Sequence, residues 1–238
     1  MIIDGKKIAD EILAGLHGDY TLGVVMNEGD AASDSFVKIK ERSARRVGVT
    51  IKRFAPENFD KALLCDGVIV QLPLPNAEAL LEKIPPEKDV DALGKLPKVL
   101  APVAAAVGEI FARYDIAVAN KKAVVVGAGR LVGKPVAQML RDAGAKVTVV
   151  TENQSSLEEL KDADIVVLGA GNPGMVVPQM LKEGVVLIDA GTSESEGRVA
   201  GDADPACAEV ASIFTPVPGG LGPIAVAMIF KNLFALRA

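Results

Sequence analysis

The chain has no tryptophan, a single histidine and two cysteines, and aromatic side chains make up only 4% of its 238 residues. Each scarcity excludes something. Cys65 and Cys207 lie far apart and His17 is the lone imidazole, so no spacing suits a zinc or iron–sulfur centre. Each cysteine reads as a small core residue. No apolar run reaches the roughly 20 residues of a membrane span, and none at the N-terminus has the form of a signal peptide. The expectation is a soluble protein of a reducing, cytoplasmic compartment with no membrane partner. The net charge of −5 argues against a nucleic-acid partner, because binding phosphates demands concentrated Lys and Arg. The local cluster Lys38, Lys40, Arg42, Arg45 and Arg46 is broken by Glu41 and apolar residues, and reads as the wet face of a helix.

What is present is aliphatic. Half of the residues are apolar, chiefly Ala, Val, Ile and Leu, which suits parallel sheets covered by helices. The length allows two modest domains or one large one. Residues 8–13 place apolar side chains at helical spacing, 20–26 read as a strand, and Ser33 or Asp34 can cap a helix running to about Val47. Short strands follow at 49–53 and 67–71, then a helix over 77–84 that Pro85-Pro86 ends. The second half alternates regularly: strands at 123–126, 147–150, 165–168 and 185–188, with helices at 134–143 and 157–160. That run is a doubly wound half-sheet. A last helix over 224–236 follows the Pro/Gly segment 216–223, which is too rigid for an ordinary linker.

Two segments carry chemistry. In Val68-Ile69-Val70-Gln71-Leu72-Pro73-Leu74-Pro75 a polar residue closes an apolar strand, and two prolines fix the exit path. Ligands collect outside the carboxyl ends of strands in open parallel sheets. Gln71 there has Lys40 and Asp91 as candidate partners, or else hydrogen-bonds its own loop. The second segment, Val124-Val125-Val126-Gly127-Ala128-Gly129-Arg130-Leu131-Val132-Gly133-Lys134-Pro135, is a strand, a glycine loop and a helix start. Its GxGxxxG spacing departs by one residue from the usual dinucleotide fingerprint. Glycines let the backbone approach a pyrophosphate, and the helix N-terminus supplies N–H donors and a partial positive charge. The following strand ends at Glu152, where a carboxylate can accept both ribose hydroxyls and would repel a 2′-phosphate. NAD is therefore expected, with NADP possible because Arg130 could reach a phosphate from the loop.

Taken together these pieces resemble the bifunctional methylenetetrahydrofolate dehydrogenase/cyclohydrolase family. The resemblance runs nearly end to end, through Ile3-Asp4-Gly5-Lys6-Lys7, Ser35-Phe36-Val37-Lys38-Ile39-Lys40, the Gln71-Leu72-Pro73-Leu74-Pro75 string, Lys88-Asp89-Val90-Asp91 and Thr215-Pro216-Val217-Pro218-Gly219-Gly220-Leu221-Gly222-Pro223. It implies two α/β domains, the second a Rossmann-type dinucleotide-binding domain, with the C-terminal helix returning to the first. On that pattern residues 1–102 with 220–238 form the folate-binding catalytic domain and 103–219 the nucleotide domain. It implies tetrahydrofolate derivatives as substrates in one-carbon metabolism, and a homodimer. Lys40 is implied as the catalytic lysine, Gln71 as its modulating neighbour and Asp91 as the anchor for the pterin ring. Phe36, Val70, Leu72, Pro73, Pro218, Gly219, Gly220 and Pro223 are the implied substrate-binding residues. Gly127, Gly129, Arg130, Leu131, Val132, Gly133, Glu152, Gly169 and Thr192 are the implied cofactor-binding residues.

Departures from the family pattern bear on this. The family's usual Tyr one turn before the lysine is Phe36, which keeps stacking but loses a hydroxyl hydrogen bond worth about 0.5–1.5 kcal/mol. The family's Gly-Arg-Ser is Gly127-Ala128-Gly129, which with Glu152 removes partners for a 2′-phosphate. The domain-junction string is reduced to Leu100-Ala101-Pro102-Val103-Ala104, and the chain is trimmed around 17–20 and 54–65. A dehydrogenase without hydrolase activity, and a shikimate-type dehydrogenase, are the competing readings. A folate- or nucleotide-binding module without turnover is a third.

Overall fold

The structure is a computed structural model that describes residues 1–27, 29, 31–151, 157–195 and 198–238. The chain divides into two compact units, Ala9–Pro102 with Val226–Ala238, and Met1–Ile8 with Val103–Ala225.

The unit built on Ala9–Pro102 contains most of α1 (Gly5–Ala14), then β1 (Tyr20–Val25), α2 (Ala31–Arg46), β2 (Val49–Phe54), α3 (Phe59–Ala62), β3 (Gly67–Val70) and α4 (Ala77–Leu81). Its strands are parallel in the order β2-β1-β3. The chain goes from β1 to β2 on one side and then crosses past β1 to β3 on the other, so the direction of winding reverses between β1 and β3, the point where a crevice forms at the carboxyl ends of such strands. Val25, Val68, Val70, Phe59, Leu81 and Ile84 pack into one core on this sheet, and full burial of each such side chain stabilises by about 1.5–3 kcal/mol. The segment after α4 runs alongside β3: Val68 bridges Asp89 in parallel, and the Val68 N–H donates to the Lys88 carbonyl at 2.8 Å.

In the other unit come α5 (Pro102–Arg113), β4 (Lys122–Val126), α6 (Gly133–Asp142), β5 (Lys146–Val150), β6 (Ile165–Leu168), β7 (Val186–Asp189), the antiparallel pair β8 (Ser193–Ser195) and β9 (Arg198–Ala200), β10 (Ile213–Thr215) and the start of α7 (Leu221–Arg237). Five strands form a parallel sheet, β10-β7-β6-β4-β5. Read from β5 this is a 2-1-3-4-5 order, whose direction reverses between β4 and β6. Its core gathers Val124, Val126, Val150, Leu160, Val166, Leu168, Leu187, Phe214 and the thiol of Cys207. Among the described residues no helix is long and apolar enough to cross a membrane.

Residues 1–8 pack with the five-stranded sheet, whereas the expectation from sequence groups them with 9–102. The reason is strand edge chemistry: Ile2 bridges Phe214, and the Ile3 N–H donates to the Phe214 carbonyl at 2.9 Å. The last helix also starts earlier than expected, at Leu221, because Pro223 falls in its first turn, where a missing N–H costs nothing. The unit boundary falls within it, after Ala225.

In the C-terminal half of α7, buried Asn232 donates through Nδ2 to the carbonyls of Val90 and Leu100, both at 2.9 Å. One amide thus ties both ends of the segment 90–100 to the helix. Asn232→Ala leaves two carbonyls without that partner and is expected to lower stability by about 2–3 kcal/mol. Urea denaturation measures it; an unchanged midpoint would show that the segment is held by other means.

Candidate active site

Lys40 sits on α2 one turn after Phe36, so the two share a helix face. Phe36 is 49% exposed while Lys40 is buried, which leaves an open aromatic ring beside an amine drawn out of water. The Lys40 Nζ donates to Gln71 Oε1 at 2.8 Å, and Gln71 Nε2 donates to the Leu72 carbonyl at 3.1 Å. Both sequence expectations for Gln71 hold at once: its amide serves the lysine with one end and its own loop with the other. The Gln71 backbone N–H reaches the Val25 carbonyl at 2.8 Å, so the residue is pinned at the β1/β3 crevice. Val70 is buried, Leu72 is half-buried, and exposed Pro73 follows through a cis peptide bond.

Asp91 acts on this amine electrostatically. Burial holds the Lys40 ammonium below its ordinary range, and the negative charge of Asp91 offsets part of that shift. Burial pushes the Asp91 carboxyl up to about 6, with Lys40 pulling it back down and Asp89 pushing it further up. Asp89 is itself buried and accepts the N–H groups of Leu93 at 3.2 Å and Gly94 at 2.7 Å. Between them Ala92 takes a φ of 55°, the left-handed region that favours glycine. The turn that follows Asp91 is therefore braced from Asp89, a role the sequence reading did not assign. An aspartate four and five residues ahead of Leu93-Gly94, within reach of their N–H groups, was the available signal.

In the other unit the glycine loop runs from β4 into α6. Gly127 has a φ of 99°, and a Cβ there would stand 2.4 Å from the Gly169 carbonyl oxygen. Only glycine lets the loops after β4 and β6 approach each other at the point where the strand order reverses. Gly133 starts α6 hard against the same loop, where a Cβ would lie 2.0 Å from the Gly127 oxygen. Around Gly129, by contrast, nothing stands within 4 Å of a Cβ position. No side chain caps α6, whose N-cap is Val132. Exposed Gly129, Arg130 and Leu131, with half-buried Val132, thus line an uncapped helix N-terminus, which fits a pyrophosphate. Gly169 and exposed Thr192 follow β6 and β7. Glu152 lies outside the described residues. Pro218, Gly219 and Gly220 occupy the turn between β10 and α7, where the Gly5 N–H donates to the Gly219 carbonyl at 3.0 Å, and Pro223 lies in the first turn of α7; Pro218 also follows a cis peptide bond.

A parallel α/β unit with a glycine loop at its switch point, joined in one chain to a unit holding a buried lysine, defines a nucleotide-linked enzyme of two α/β domains. Comparison with known proteins makes this specific. Residues 3–91 match the family model for the tetrahydrofolate dehydrogenase/cyclohydrolase catalytic domain, and residues 101–238 match its NAD(P)-binding domain. The chain belongs to the tetrahydrofolate dehydrogenase/cyclohydrolase family. It is 38% identical to the bifunctional protein FolD of Halothermothrix orenii, over 99% of this chain and 97% of that one. The crystal structure of the FolD enzyme of Campylobacter jejuni superposes with a TM-score of 0.91 at 28% identity, covering 99% of this chain and 98% of its own. The Trypanosoma brucei enzyme, solved with NADP cofactor and an inhibitor, gives the same TM-score and identity, covering 99% and 96%.

The carboxyl of Asp91 is charged above about pH 6, and only in that form can both of its oxygens accept N–H donors of a ligand with a full negative charge behind them. Because kcat/KM reports the groups of the unliganded enzyme, kcat/KM for the folate substrate is expected to fall as pH drops through about 6. In Asp91→Asn that acid limb should vanish from a rate lower throughout. A pH–rate series on both proteins checks it, and an acid limb retained by the variant assigns the titration to another group.

Proposed function

We propose that the protein oxidises 5,10-methylenetetrahydrofolate with NAD and hydrolyses the resulting methenyl cation. The observation that carries this reading is the buried Lys40 amine held at 2.8 Å by the Gln71 amide oxygen, with Asp91 as its charged neighbour. Folate chemistry is assigned to the unit containing these three residues, and nucleotide binding to the unit containing the glycine loop.

Asp91 accepts the amino and ring N–H groups of the pterin, and Phe36 stacks on the ring from the open face of α2. Val70, Leu72 and Pro73 give the ring an apolar border, and Pro218-Gly219-Gly220 with Pro223 is assigned to substrate by the family pattern. A nicotinamide held by the glycine-loop unit would supply the acceptor for hydride from the methylene carbon. That step asks the chain chiefly to hold the two reactants and keep water out. Hydrolysis asks for proton transfer. Water adds to the methenyl carbon and loses a proton, then the carbon–nitrogen bond opens to leave a formyl group. With its pKa lowered by burial, Lys40 can take the water proton as a neutral amine and return it to the departing nitrogen. Gln71 orients that amine without neutralising its charged form.

Lys40→Met removes the proton carrier and is expected to slow methenyltetrahydrofolate hydrolysis by about 10²–10⁴-fold, with nucleotide-dependent oxidation much less affected. Absorbance of the methenyl chromophore follows both reactions. Hydrolysis that persists at the unsubstituted rate in Lys40→Met would falsify the assignment of the lysine, and no lysine-dependent hydrolysis in the unsubstituted enzyme would leave a dehydrogenase alone.

Coenzyme choice rests on two sequence features, Ala128-Gly129 in place of the family's Arg-Ser and an acid at Glu152. Both disfavour a 2′-phosphate and support NAD. Initial rates are expected to favour NAD over NADP, and Glu152→Arg to shift the preference toward NADP by about tenfold, the effect of about 1.4 kcal/mol. A faster rate with NADP in the unsubstituted enzyme would overturn the choice. A homodimer working in the cytoplasm belongs to the same proposal, supported by the family resemblance.

A further inference from the structure

Two fully buried carboxylates clasp the loops that follow β6 and β7. The Asp202 Oδ2 accepts the N–H groups of Ala170 at 2.7 Å and Gly171 at 3.1 Å, and its Oδ1 accepts that of Asn172 at 2.8 Å. Asp189, the last residue of β7, accepts through Oδ1 from Gly191 at 2.9 Å and Asp202 at 3.2 Å, and through Oδ2 from Ala203 at 2.9 Å. The arrangement is reciprocal. A Cβ on Gly191 would meet the Asp202 Cγ at 2.3 Å, and a Cβ on Gly201 would meet the Asp189 Oδ2 at 2.1 Å. Each aspartate therefore packs on the glycine next to the other. The backbone closes the clasp further, with the Val176 N–H on the Asp202 carbonyl and the Gly174 N–H on the Gly201 carbonyl, both at 3.0 Å. Thr215 on β10 braces the strand end, its Oγ1 accepting from the Asp189 N–H at 2.7 Å.

We infer that Asp189 and Asp202 are positioning residues for nucleotide binding, acting through residues 169–172 and 190–192, the loops that carry Gly169 and Thr192. This rests on the reading of those two residues as part of the cofactor site. Burying two carboxylates side by side is unfavourable: burial pushes the Asp189 carboxyl up to about 6, with its three N–H donors drawing it down and Asp202 pushing it up. A loop that needed only to fold could be tethered by a neutral side chain at lower cost. What the clasp adds is rigidity across three segments at once, so that ordering entropy is met on folding and not on binding.

The test uses Asp202→Asn, in which one oxygen must become an NH₂ facing the N–H groups of residues 170–172. Calorimetry with NAD and with NADP is expected to show the dissociation constant rising about tenfold or more, an effect of about 1.4 kcal/mol, and KM for the nucleotide rising with it. Hydrolysis of methenyltetrahydrofolate, which takes no nucleotide, should stay within about twofold. Wild-type nucleotide affinity in a folded Asp202→Asn protein overturns the inference. Binding of neither nucleotide by the unsubstituted enzyme is a different failure, that of the cofactor reading beneath it. Should the variant not fold, hydrogen exchange on the unsubstituted enzyme decides: added NAD slows exchange in 169–172 and 190–192 together if the clasp presents these loops to the nucleotide, and unchanged exchange in both sinks the idea.

Discussion

An amine buried against a neutral amide is the constraint on which the folate unit depends. Had Lys40 and Asp91 formed a close ion pair, the lysine would titrate higher than usual and the aspartate lower. Both move the other way, the ammonium down and the carboxyl up to about 6. Burial outweighs pairing, so charge on either group is held at an energetic disadvantage near neutral pH. Gln71 fits this balance, since its oxygen satisfies one N–H of the amine without contributing a counter-charge. A carboxylate at that position would stabilise the ammonium and take away the capacity to release a proton.

Such a balance requires backbone that does not yield. The unit supplies it through the β2-β1-β3 order, which places the end of β3 at a crevice, and through the Val25 carbonyl that fixes the Gln71 N–H at 2.8 Å. Asp89 adds the brace for the turn after Asp91. It also raises the cost of charge on Asp91, so one residue both shapes the turn and tunes the acid within it. The nucleotide unit repeats the same local topology, with β4 flanked by β5 and β6, and puts its glycine loop at the equivalent reversal.

Much of this was legible in the sequence because the informative residues break a local pattern. Gln71 interrupts an apolar strand, the glycines of 127–133 interrupt a βα run, and strands such as Tyr20–Val25 and Ile165–Leu168 emerged within a residue of where the pattern puts them. Elements without such contrast were missed. α5 opens with Pro102 and carries Gly108 among alanines and valines, a composition that gives little helical periodicity. β10 is three residues long and is held as a strand by β7, a partner about 27 residues upstream, which no local window reveals. The clasp of Asp189 and Asp202 escaped for the same reason: single aspartates read as solvated loop residues until the fold brings their loops together. Asp91 stood out beside Gln71 as a candidate partner, but its role as pterin anchor came only from the resemblance, since nothing local separates it from Asp89.

The loop after β4 and the loops after β6 and β7 differ in what they leave to a ligand. At the start of α6 the backbone donors have no capping side chain, and Gly129 leaves room for an approaching group. The Lys134 N–H is used by the Gly129 carbonyl at 3.0 Å and Pro135 has none, so what this end offers an anion is chiefly the partial positive charge of the helix. After β6 and β7 the donors of Ala170, Gly171, Asn172 and Gly191 are already turned onto carboxylates inside the protein. Those loops can offer little to an anion, and the buried negative charge behind them repels one. An anion is thereby favoured at the start of α6 and disfavoured beside the loops after β6 and β7. The contrast follows from charge: a helix N-terminus stands at one loop, and carboxylates that have consumed the local donors stand behind the others.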